Sequence, residues 1–403
     1  MKVVIVGCGV AGANAARAVA AHRPGADIHI YSAEPHLYYA RPKLPAYLAG
    51  EAEESSLFFY DMAWYQERGI QVHTGARVVQ VQPTTHRVVL EEGSSVAYDR
   101  LLIAAGAHPF RPPIVGADLP GVFSLWSIAD AKAIRAHART CRCAVVIGGG
   151  VLGLEAARAL RALGLEVTVL DRNAYLMSRQ LDAPGAAVFQ RHIEALGIQV
   201  VLEASTERIE GSSAPEAVLL RGGERLPADL VLIQAGGRPN IEFTTGSGLA
   251  VNSGIVVNEH LQASAPDVYA AGDVAEFRGA IYGIVPAAVE QAQVAAANLT
   301  EAEQRRYGGT VPTNTLKIVG IDLTSIGRIT AAEGDVELRR DTPAGQYLKF
   351  VLQDGRLAGA ILLGHKGKVG WVSQAIAKRV HLAQHGEALL QDDFDWKAAL
   401  AAS

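Results

Sequence analysis

The sequence has 403 residues, of which 49 % are hydrophobic and 19 % are charged, so it is long enough for two or three domains with large buried cores. A net charge of −4 offers no broad basic surface for nucleic acid, and no apolar run approaches the roughly 18 residues that a membrane helix needs. Three cysteines build no disulfide framework, which fits a reducing cytoplasm. Cys141 and Cys143 lack the further ligands of a zinc site, so no metal is predicted.

One module occurs twice in the chain. The stretch VVIVGCGVAGANAARAVA from Val3 returns as AVVIGGGVLGLEAARALRALG from Ala144. Each copy runs from an apolar, β-branched stretch through Gly-x-Gly-x-x-Gly into an Ala-rich helix. The glycines are Gly7, Gly9 and Gly12 in the first copy and Gly148, Gly150 and Gly153 in the second.

This strand–glycine–helix pattern predicts a Rossmann-type dinucleotide site. The first glycine makes a tight turn, the second lets the backbone approach a pyrophosphate, and the third lets helix and strand pack closely. The helix start then offers backbone N–H groups and a partial positive charge to the diphosphate. These groups belong to Val10 and Ala11 in the first copy and to Val151 and Leu152 in the second.

The second strand of such a unit should end in an acid that accepts hydrogen bonds from a ribose. In the second copy LEVTVLDRN ends at Asp171, whose charge repels a 2′-phosphate and favours NADH over NADPH, although the neighbouring Arg172 opposes this preference. In the first copy Ser32 stands where an acid is expected, which leaves Glu34 as the ribose partner. The alternative for either acid is an ordinary loop carboxylate.

The double module, together with the segments between and after the two copies, resembles the FAD-dependent pyridine-nucleotide oxidoreductases over nearly the whole chain. The motifs that carry the resemblance are TGARVVQVQP at 74–83, YDRLLIAAGAHPFRPPIVG at 98–116, ADLVLIQAGGRPN at 228–240 and APDVYAAGDVAEF at 265–277. The resemblance implies FAD beside the first fingerprint and the nicotinamide nucleotide beside the second. It also implies cofactor contacts at Val78, Ala105, Gly106, Gly236, Gly272, Asp273, Glu290 and Gln291.

The turn YYARPKLPAYLAG at 38–50 contains no cysteine, and Pro42 stands where several branches of this family keep a redox cysteine. Proline and lysine form no disulfide, persulfide or sulfenic acid, so disulfide and peroxide chemistry are disfavoured. Arg41 and Lys43 are instead expected to balance negative charge on the reduced flavin or to bind the FAD pyrophosphate. The alternative is a turn with two solvated cations.

Glu155 follows the second fingerprint and matches a family glutamate near the nicotinamide that often pairs with a lysine. Lys43 is the candidate partner. We expect the pair to act in catalysis by positioning the nicotinamide over the flavin, because hydride transfer needs no protein proton donor. Alternatively, Glu155 only favours the start of its helix.

Beyond about residue 310, alternating apolar stretches and a helical pattern predict a small α+β domain. The segment LKIVGIDLTSIG resembles the C-terminal domain of rubredoxin reductases and of the flavoprotein module of assimilatory nitrite reductases. Trp126 replaces an arginine that is usual in the family, and it is either part of an altered flavin or partner surface or a core or domain-interface aromatic.

These patterns together predict an α/β fold with two Rossmann-like domains, one for FAD and one for NAD, and a small C-terminal α+β domain. The expected segments are 1–115 and 241–309 for FAD, 116–240 for NAD and 310–403 for the C-terminal domain. The expected activity is electron transfer from NADH through FAD to a small redox protein such as rubredoxin or ferredoxin, by a cytoplasmic monomer or homodimer.

Three alternatives remain at this level. One is an NADH oxidase or disulfide reductase that uses an unusual thiol such as Cys8. Another is a redox-sensing binding protein on the same fold, because fold does not dictate function. The mildest alternative keeps the enzyme and changes the acceptor to a ferredoxin, a quinone or a nitrite reductase component.

Overall fold

The computed structural model describes residues 1–302, 304–310, 313–318 and 320–401. Their contacts divide the chain into two units. The first unit comprises Met1–Lys43, Glu53–Phe110 and Gly236–Thr310, and the second comprises Leu44–Ala52, Arg111–Ala235 and Val311–Ser403. The second unit thus joins the predicted NAD-binding segment to the C-terminal segment, while the finer boundaries at residues 115, 240 and 309 stay predictions.

The first unit is built on a five-stranded parallel sheet with the fingerprint strand at its centre. From one edge to the other, its strands are Val268–Ala270, Arg100–Ile103, Lys2–Val6, Asp27–Ser32 and Ile70–Thr74. Numbered along the chain from the last edge, this order is 3-2-1-4-5, as in one half of a Rossmann fold. The central strand KVVIV is almost entirely apolar and buried, as is typical of a parallel sheet that is covered on both faces.

Two Ala-rich helices cover this sheet, Val10–His22 and Val285–Thr300. They pack on each other, and their small buried side chains let the two backbones come close. The longer helix carries Pro286 in its first turn, where the missing N–H costs nothing. A third, short helix is Met62–Gln66, and single turns of 3₁₀ helix lie at Arg41–Lys43, Glu54–Leu57, Pro83–Thr85 and Glu242–Thr244.

Smaller sheets complete the first unit. A three-stranded antiparallel sheet contains Val78–Gln82, Arg87–Leu90 and Ser95–Ala97. An antiparallel pair joins Ala107–Pro109 to Gly237–Pro239, and a parallel pair joins Ile255–Val257 to Ala275–Phe277. The first of these pairs brings two segments that are distant in sequence side by side.

The second unit repeats the parallel sheet. Its strands, in spatial order, are Ile198–Val201, Glu166–Leu170, Cys143–Ile147, Leu230–Ile233 and Val122–Phe123. The helices of this unit are Leu44–Ala49, Ile128–Ala138, Val151–Ala162, Ala183–Ala195, Val369–Ala377 and Trp396–Ala401. A three-stranded antiparallel sheet adds Thr206–Glu210, Ala217–Leu220 and Arg225–Pro227.

The C-terminal part of the second unit is a five-stranded antiparallel sheet with helices packed on it. Its strands, in spatial order, are Thr313–Ile318, Ile321–Gly327, Arg356–Leu363, Tyr347–Gln353 and Val336–Asp341. Turns of 3₁₀ helix lie at Lys366–Lys368 and Ala383–Leu390. Lys349 on this sheet is buried and pairs with Asp182, the N-cap of the helix Ala183–Ala195, at 2.9 Å and with Glu337 at 2.8 Å.

The predicted fold class, two Rossmann-like domains followed by a small α+β domain, is confirmed by this topology. Over the described ranges, no helix combines the length and the apolar character needed to cross a bilayer. Within those same ranges, no three His, Cys, Asp or Glu side chains are grouped so as to hold a metal ion.

Candidate dinucleotide-binding sites

The first fingerprint has the backbone geometry that requires glycine at its first and third positions. Gly7 has a φ of +106°, and a Cβ atom there would lie 2.3 Å from the carbonyl oxygen of Ala104. A Cβ atom at Gly12 would lie 1.9 Å from the carbonyl oxygen of Gly7. A side chain at Gly7 would collide with the backbone that follows the neighbouring strand, and a side chain at Gly12 would push the helix away from the turn at Gly7.

The middle glycine faces open space instead. A Cβ atom at Gly9 would meet no atom within 4 Å, and Gly9 is the N-cap of the helix Val10–His22. No side chain caps this helix start, and its first turn contains no acidic residue. The N–H groups of Val10 and Ala11 are in the first turn, where they have no acceptor within the helix, so they can donate to a pyrophosphate.

Two further predicted segments lie against this fingerprint. A Cβ atom at Gly7 would be 3.1 Å from Cα of Ala105, and one at Gly272 would be 3.0 Å from Cβ of Ala11. Gln291 is 1 % exposed and accepts a hydrogen bond from the backbone N–H of Gly272 at 2.8 Å. Gln291 thus holds the Ala-Gly-Asp turn in place through its side chain.

The crossover at Ala105 and Gly106 is fixed by a residue that sequence reasoning did not single out. The side-chain amide of Asn240 donates to the carbonyl oxygen of Ala105 at 2.7 Å, and its backbone N–H donates to that of Gly106 at 3.0 Å. Nδ1 of His108 lies 2.7 Å from the side-chain carbonyl oxygen of Asn240. Asn240 is the last residue of the motif AGGRPN, and its place in that motif was the sequence signal that could have identified it.

Asp273 follows Gly272 at the C-terminal end of a sheet strand. Burial raises the pKa of its carboxyl group, and the charge of Arg41 offsets part of that rise. Its carboxylate makes no hydrogen bond or ion pair to any residue in the described part of the chain. A desolvated carboxylate without a donor is costly unless a ligand supplies one, and the hydroxyls of a ribityl chain are suitable donors.

Glu34 and Arg41, which sequence patterns place on different parts of FAD, contact each other. The guanidinium of Arg41 pairs with the carboxylate of Glu34, and the hydroxyl of Tyr39 donates to the same carboxylate. Arg41 also lies over the ring of Tyr39, 5.5 Å from its centroid. The ribose role of Glu34 stays a prediction.

The remaining predicted contacts of the first unit are spread along its loops. Lys43 is exposed, and its ammonium donates to the carbonyl oxygen of Ser56 at 3.0 Å. Val78 is buried at the start of its strand. Glu290 is exposed and accepts from the hydroxyl of Thr310 at 2.7 Å. The carbonyl oxygen of Gly236 accepts from the backbone N–H of Phe110 at 2.8 Å.

The second fingerprint repeats the geometry of the first. Gly148 has a φ of +122°, and a Cβ atom at Gly153 would lie 1.9 Å from the carbonyl oxygen of Gly148. Gly150 faces open space and is the uncapped N-cap of the helix Val151–Ala162. The N–H groups of Val151 and Leu152 are therefore placed for a second pyrophosphate.

Asp171 lies beside this second fingerprint and is 8 % exposed. One of its oxygens accepts from the backbone N–H of Gly149 at 2.9 Å. The other accepts from the backbone N–H and the side-chain amide of Asn173, both at 2.8 Å. Arg172 is exposed, and its side chain forms no hydrogen bond or ion pair within the part of the chain that is described.

Glu155 belongs to a charged group on the helix Val151–Ala162. Its carboxylate lies 3.5 Å from the guanidinium of Arg158. The same guanidinium forms a bidentate ion pair with the carboxylate of Glu51, at 2.7 and 2.9 Å. Arg158 lowers the pKa of Glu51 through this bond. The predicted pairing of Glu155 with Lys43 stays a prediction, because the two residues belong to different units. Trp126, half-buried, donates its backbone N–H to Asp130 at 3.1 Å.

None of the three cysteines has the character of a redox thiol. Cys8 is buried with its sulfur 3.9 Å from the hydroxyl of Tyr65, and burial raises the pKa of its thiol to about 11. Burial also raises the thiol pKa values of Cys141 and Cys143, and Asp229 contacts both sulfurs. Thiolates, the reactive form, are therefore scarce at neutral pH.

Comparison with known families agrees with this geometry. Residues 1–298 match the family model described as pyridine nucleotide-disulphide oxidoreductase. Residues 312–380 match the model described as rubredoxin NAD+ reductase C-terminal domain. The first match covers most of the chain, and the second follows it directly.

Individual relatives support the same assignment. The chain is 36 % identical to the assimilatory nitrate reductase electron transfer subunit of Bacillus subtilis, a match that covers 90 % of the chain but only 47 % of that relative. It is 30 % identical to the NADH-rubredoxin oxidoreductase of Clostridium acetobutylicum, over 90 % of the chain and 91 % of that protein.

A solved structure, the covalent complex of putidaredoxin reductase with putidaredoxin, superimposes with a TM-score of 0.91 at 30 % identity, over 100 % of this chain and 98 % of the other. The chain also spans only about half the length of the nitrate reductase relative. The chain belongs to the pyridine nucleotide-disulphide oxidoreductase family, whose members use FAD and NAD(P)H.

Proposed function

We propose that this protein passes electrons from NADH through FAD to a small iron protein, with rubredoxin as the first candidate. The observation that carries this proposal is the match of residues 312–380 to the rubredoxin NAD+ reductase C-terminal domain. The absence of cysteine from the turn at 38–50 supports it, because chemistry that needs a nucleophilic thiol has no group to perform it there.

When bound, FAD supplies the conversion of a two-electron hydride into single electrons. The tasks left to the chain are to hold and orient the two nucleotides. We assign the FAD pyrophosphate to the helix start after Gly9 and the flavin side of the cofactor to Asp273, with Arg41 supplying positive charge. The nicotinamide nucleotide is assigned to the helix start after Gly150.

Asp171 supports NADH as the donor rather than NADPH. A buried carboxylate at the ribose position repels a 2′-phosphate and accepts from a free 2′-hydroxyl. Lys43 and Glu155 are proposed to position the nicotinamide, with Arg158 holding Glu155 in turn.

The thiol alternative is disfavoured by the burial and raised pKa of Cys8. An NADH oxidase or disulfide reductase that uses this residue would need a reactive thiolate. The cytoplasmic location and the monomer or homodimer state remain predictions.

An acceptor panel tests the proposal. The purified flavoprotein is given NADH without oxygen and offered oxidised rubredoxin, a ferredoxin, a quinone or ferricyanide in separate assays. Two rubredoxin molecules reduced per NADH, at a rate well above that with the ferredoxin or the quinone, would support rubredoxin. Ferricyanide, which needs no docking surface, controls for the NADH half-reaction.

A second candidate is an electron-transfer module for nitrate or nitrite reduction. The observation that favours it is the 36 % identity to the nitrate reductase electron transfer subunit. The same panel separates the two, because this candidate predicts ferricyanide reduction with negligible rubredoxin reduction. Slow flavin reduction by NADH with no acceptor turnover would instead favour a redox-sensing binding protein.

A further inference from the structure

Asp171 is held by three hydrogen bonds from two residues that are not themselves expected to touch a nucleotide. Asn173 donates twice to one carboxylate oxygen, from its backbone N–H and its side-chain amide, each at 2.8 Å. The backbone N–H of Gly149 donates to the other oxygen at 2.9 Å. The contact to Asn173 is a local turn in which an Asp side chain bonds two residues ahead.

Gly149 is the extra glycine of the second fingerprint, absent from the Gly-x-Gly-x-x-Gly pattern. A Cβ atom there would lie 2.6 Å from a carboxylate oxygen of Asp171 and 2.5 Å from a methyl carbon of Leu176. Its carbonyl oxygen also accepts from the backbone N–H of Met177 at 3.4 Å. The loop after Asp171 therefore closes onto Gly149, and only glycine leaves room for the carboxylate.

We propose that Asn173 and Gly149 form a clamp that fixes the Asp171 carboxylate and thereby sets the preference for NADH over NADPH. The inference rests on the proposed function in taking NADH as the donor. Both are positioning residues, because they act on the nucleotide through Asp171.

The number of hydrogen bonds explains why the clamp suits a ribose. A carboxylate accepts about four hydrogen bonds, and the protein supplies three of them. About one acceptor position is left for a hydroxyl donor. A 2′-phosphate has no hydroxyl at this position and would place its negative charge against a carboxylate that cannot turn away.

Arg172 is the reason why release of Asp171 would change the preference between NADH and NADPH. Its side chain is exposed and forms no hydrogen bond or ion pair in the described ranges, so its charge is available to attract a 2′-phosphate. An Asp171 side chain released from Asn173 is free to rotate towards this neighbouring guanidinium. The ribose would then lose its acceptor, and the repulsion of a 2′-phosphate would weaken.

The test measures binding of ADP-ribose and 2′-phospho-ADP-ribose to the oxidised flavoprotein by isothermal titration calorimetry. For Asn173→Ala we expect the Kd of ADP-ribose to rise about tenfold, as for loss of a bond to a charged acceptor, while the Kd of 2′-phospho-ADP-ribose rises less than about twofold or falls. Asn173→Ser keeps a short donor and should restore most of the difference. Gln199→Ala, an exposed change on a nearby strand of the same sheet, should change neither Kd.

A parallel rise of both Kd values in Asn173→Ala, or no change in either, would overturn the clamp. So would a wild-type protein that binds both probes equally. Unchanged flavin absorbance and melting temperature in Asn173→Ala would confirm that the loss is local. The outcome is separate from the proposed function. A variant that loses ADP-ribose but not 2′-phospho-ADP-ribose supports the clamp even if NADH fails to reduce the wild-type flavin. Normal reduction with unaltered binding of both probes rejects the clamp alone.

Discussion

The carboxylate of Glu34 and the guanidinium of Arg41 form an ion pair at the edge of the first nucleotide-binding site. The charge of Arg41 also lowers the pKa of Asp273, whose burial acts in the opposite direction. One arginine therefore influences two carboxylates, Glu34 and Asp273, that are predicted to contact different parts of FAD. Its removal should affect the cofactor as a whole.

For Arg41→Ala we expect FAD affinity to fall by about tenfold or more, because two carboxylates lose their nearby positive charge and the pyrophosphate loses a cation. Reconstitution of apoprotein with FAD, followed by flavin fluorescence, measures this affinity. Arg87→Ala, which removes an exposed arginine whose side chain donates to the hydroxyl of Ser95, is the matched control. Equal FAD affinity in the two variants would contradict the role of Arg41.

Asp273→Ala should give colourless apoprotein, because the site loses the acceptor for the ribityl hydroxyls. Asp273→Asn should distinguish the effect of this residue on FAD binding from its effect on the stability of the apoprotein. The raised pKa means that the ionised carboxylate is disfavoured in the folded apoprotein, so this change should raise the apoprotein melting temperature while weakening the binding of FAD. Purified yellow protein from Asp273→Ala would contradict the assignment.

Gln291→Ala should destabilise the apoprotein by about 1–3 kcal/mol, because the buried N–H of Gly272 loses its acceptor. The displaced turn should also release FAD more readily. Gln293→Ala, which changes an exposed glutamine on the same helix, is the control for the loss of side-chain bulk. Urea unfolding of both apoproteins measures the difference, and similar midpoints would show that the Gln291 bond contributes nothing.

Stability should fall in mild acid because of a histidine pair in the first unit. His29 and His73 lie 3.0 Å apart on adjacent strands, and His29 also contacts Asp27. Burial lowers the pKa of His73, with smaller contributions from His29 and Lys2. The unfolded chain therefore binds a proton first as the pH falls below about 6.5, and stability is lost from there down to the folded pKa.

His73→Gln removes this titration, so the melting temperature of that variant should depend less on pH between about 7 and 5 than that of the wild type. Differential scanning fluorimetry across this range measures the slope. Identical slopes in the two proteins would show that His73 takes up no proton on unfolding in this range.

Structural features that depend on residues close together in the sequence could be predicted from it, and features that depend on distant residues could not. The fingerprint strands and helices were predictable because glycine spacing and apolar periodicity are local patterns, and Gly7, Gly12, Gly148 and Gly153 have the geometry that the pattern implies. Asn240 was missed because its contact to Ala105 joins residues 135 positions apart. No local pattern reports such a contact.

Gly149 and the ion pair of Glu34 show a second limit of prediction from the sequence. The sequence indicates which residue types are near a nucleotide but not which of them bond to each other before it binds. Gly149 was hidden inside a run of three glycines, two of which the fingerprint already explained. Its requirement for glycine arises from the side chains of Asp171 and Leu176, which reach it from another loop.

Cys8→Ser should leave NADH-dependent reduction of every acceptor unchanged, because a buried thiol with a pKa of about 11 supplies almost no thiolate. Assays of oxygen, peroxide and disulfide reduction test this expectation, because these are the reactions that a redox thiol would perform. Loss of any of them in this variant, with the flavin retained, would restore the thiol-based alternative.

The most direct test of the central claim is anaerobic stopped-flow spectroscopy of the purified flavoprotein mixed with NADH, with NADPH in a parallel run, and then with oxidised rubredoxin. We expect fast bleaching of the flavin by NADH, much slower bleaching by NADPH, and prompt return of the oxidised spectrum on addition of rubredoxin. Failure of NADH to bleach the flavin would contradict electron transfer from NADH to FAD. Fast bleaching without reoxidation by rubredoxin would retain the NADH half and reject rubredoxin as the acceptor.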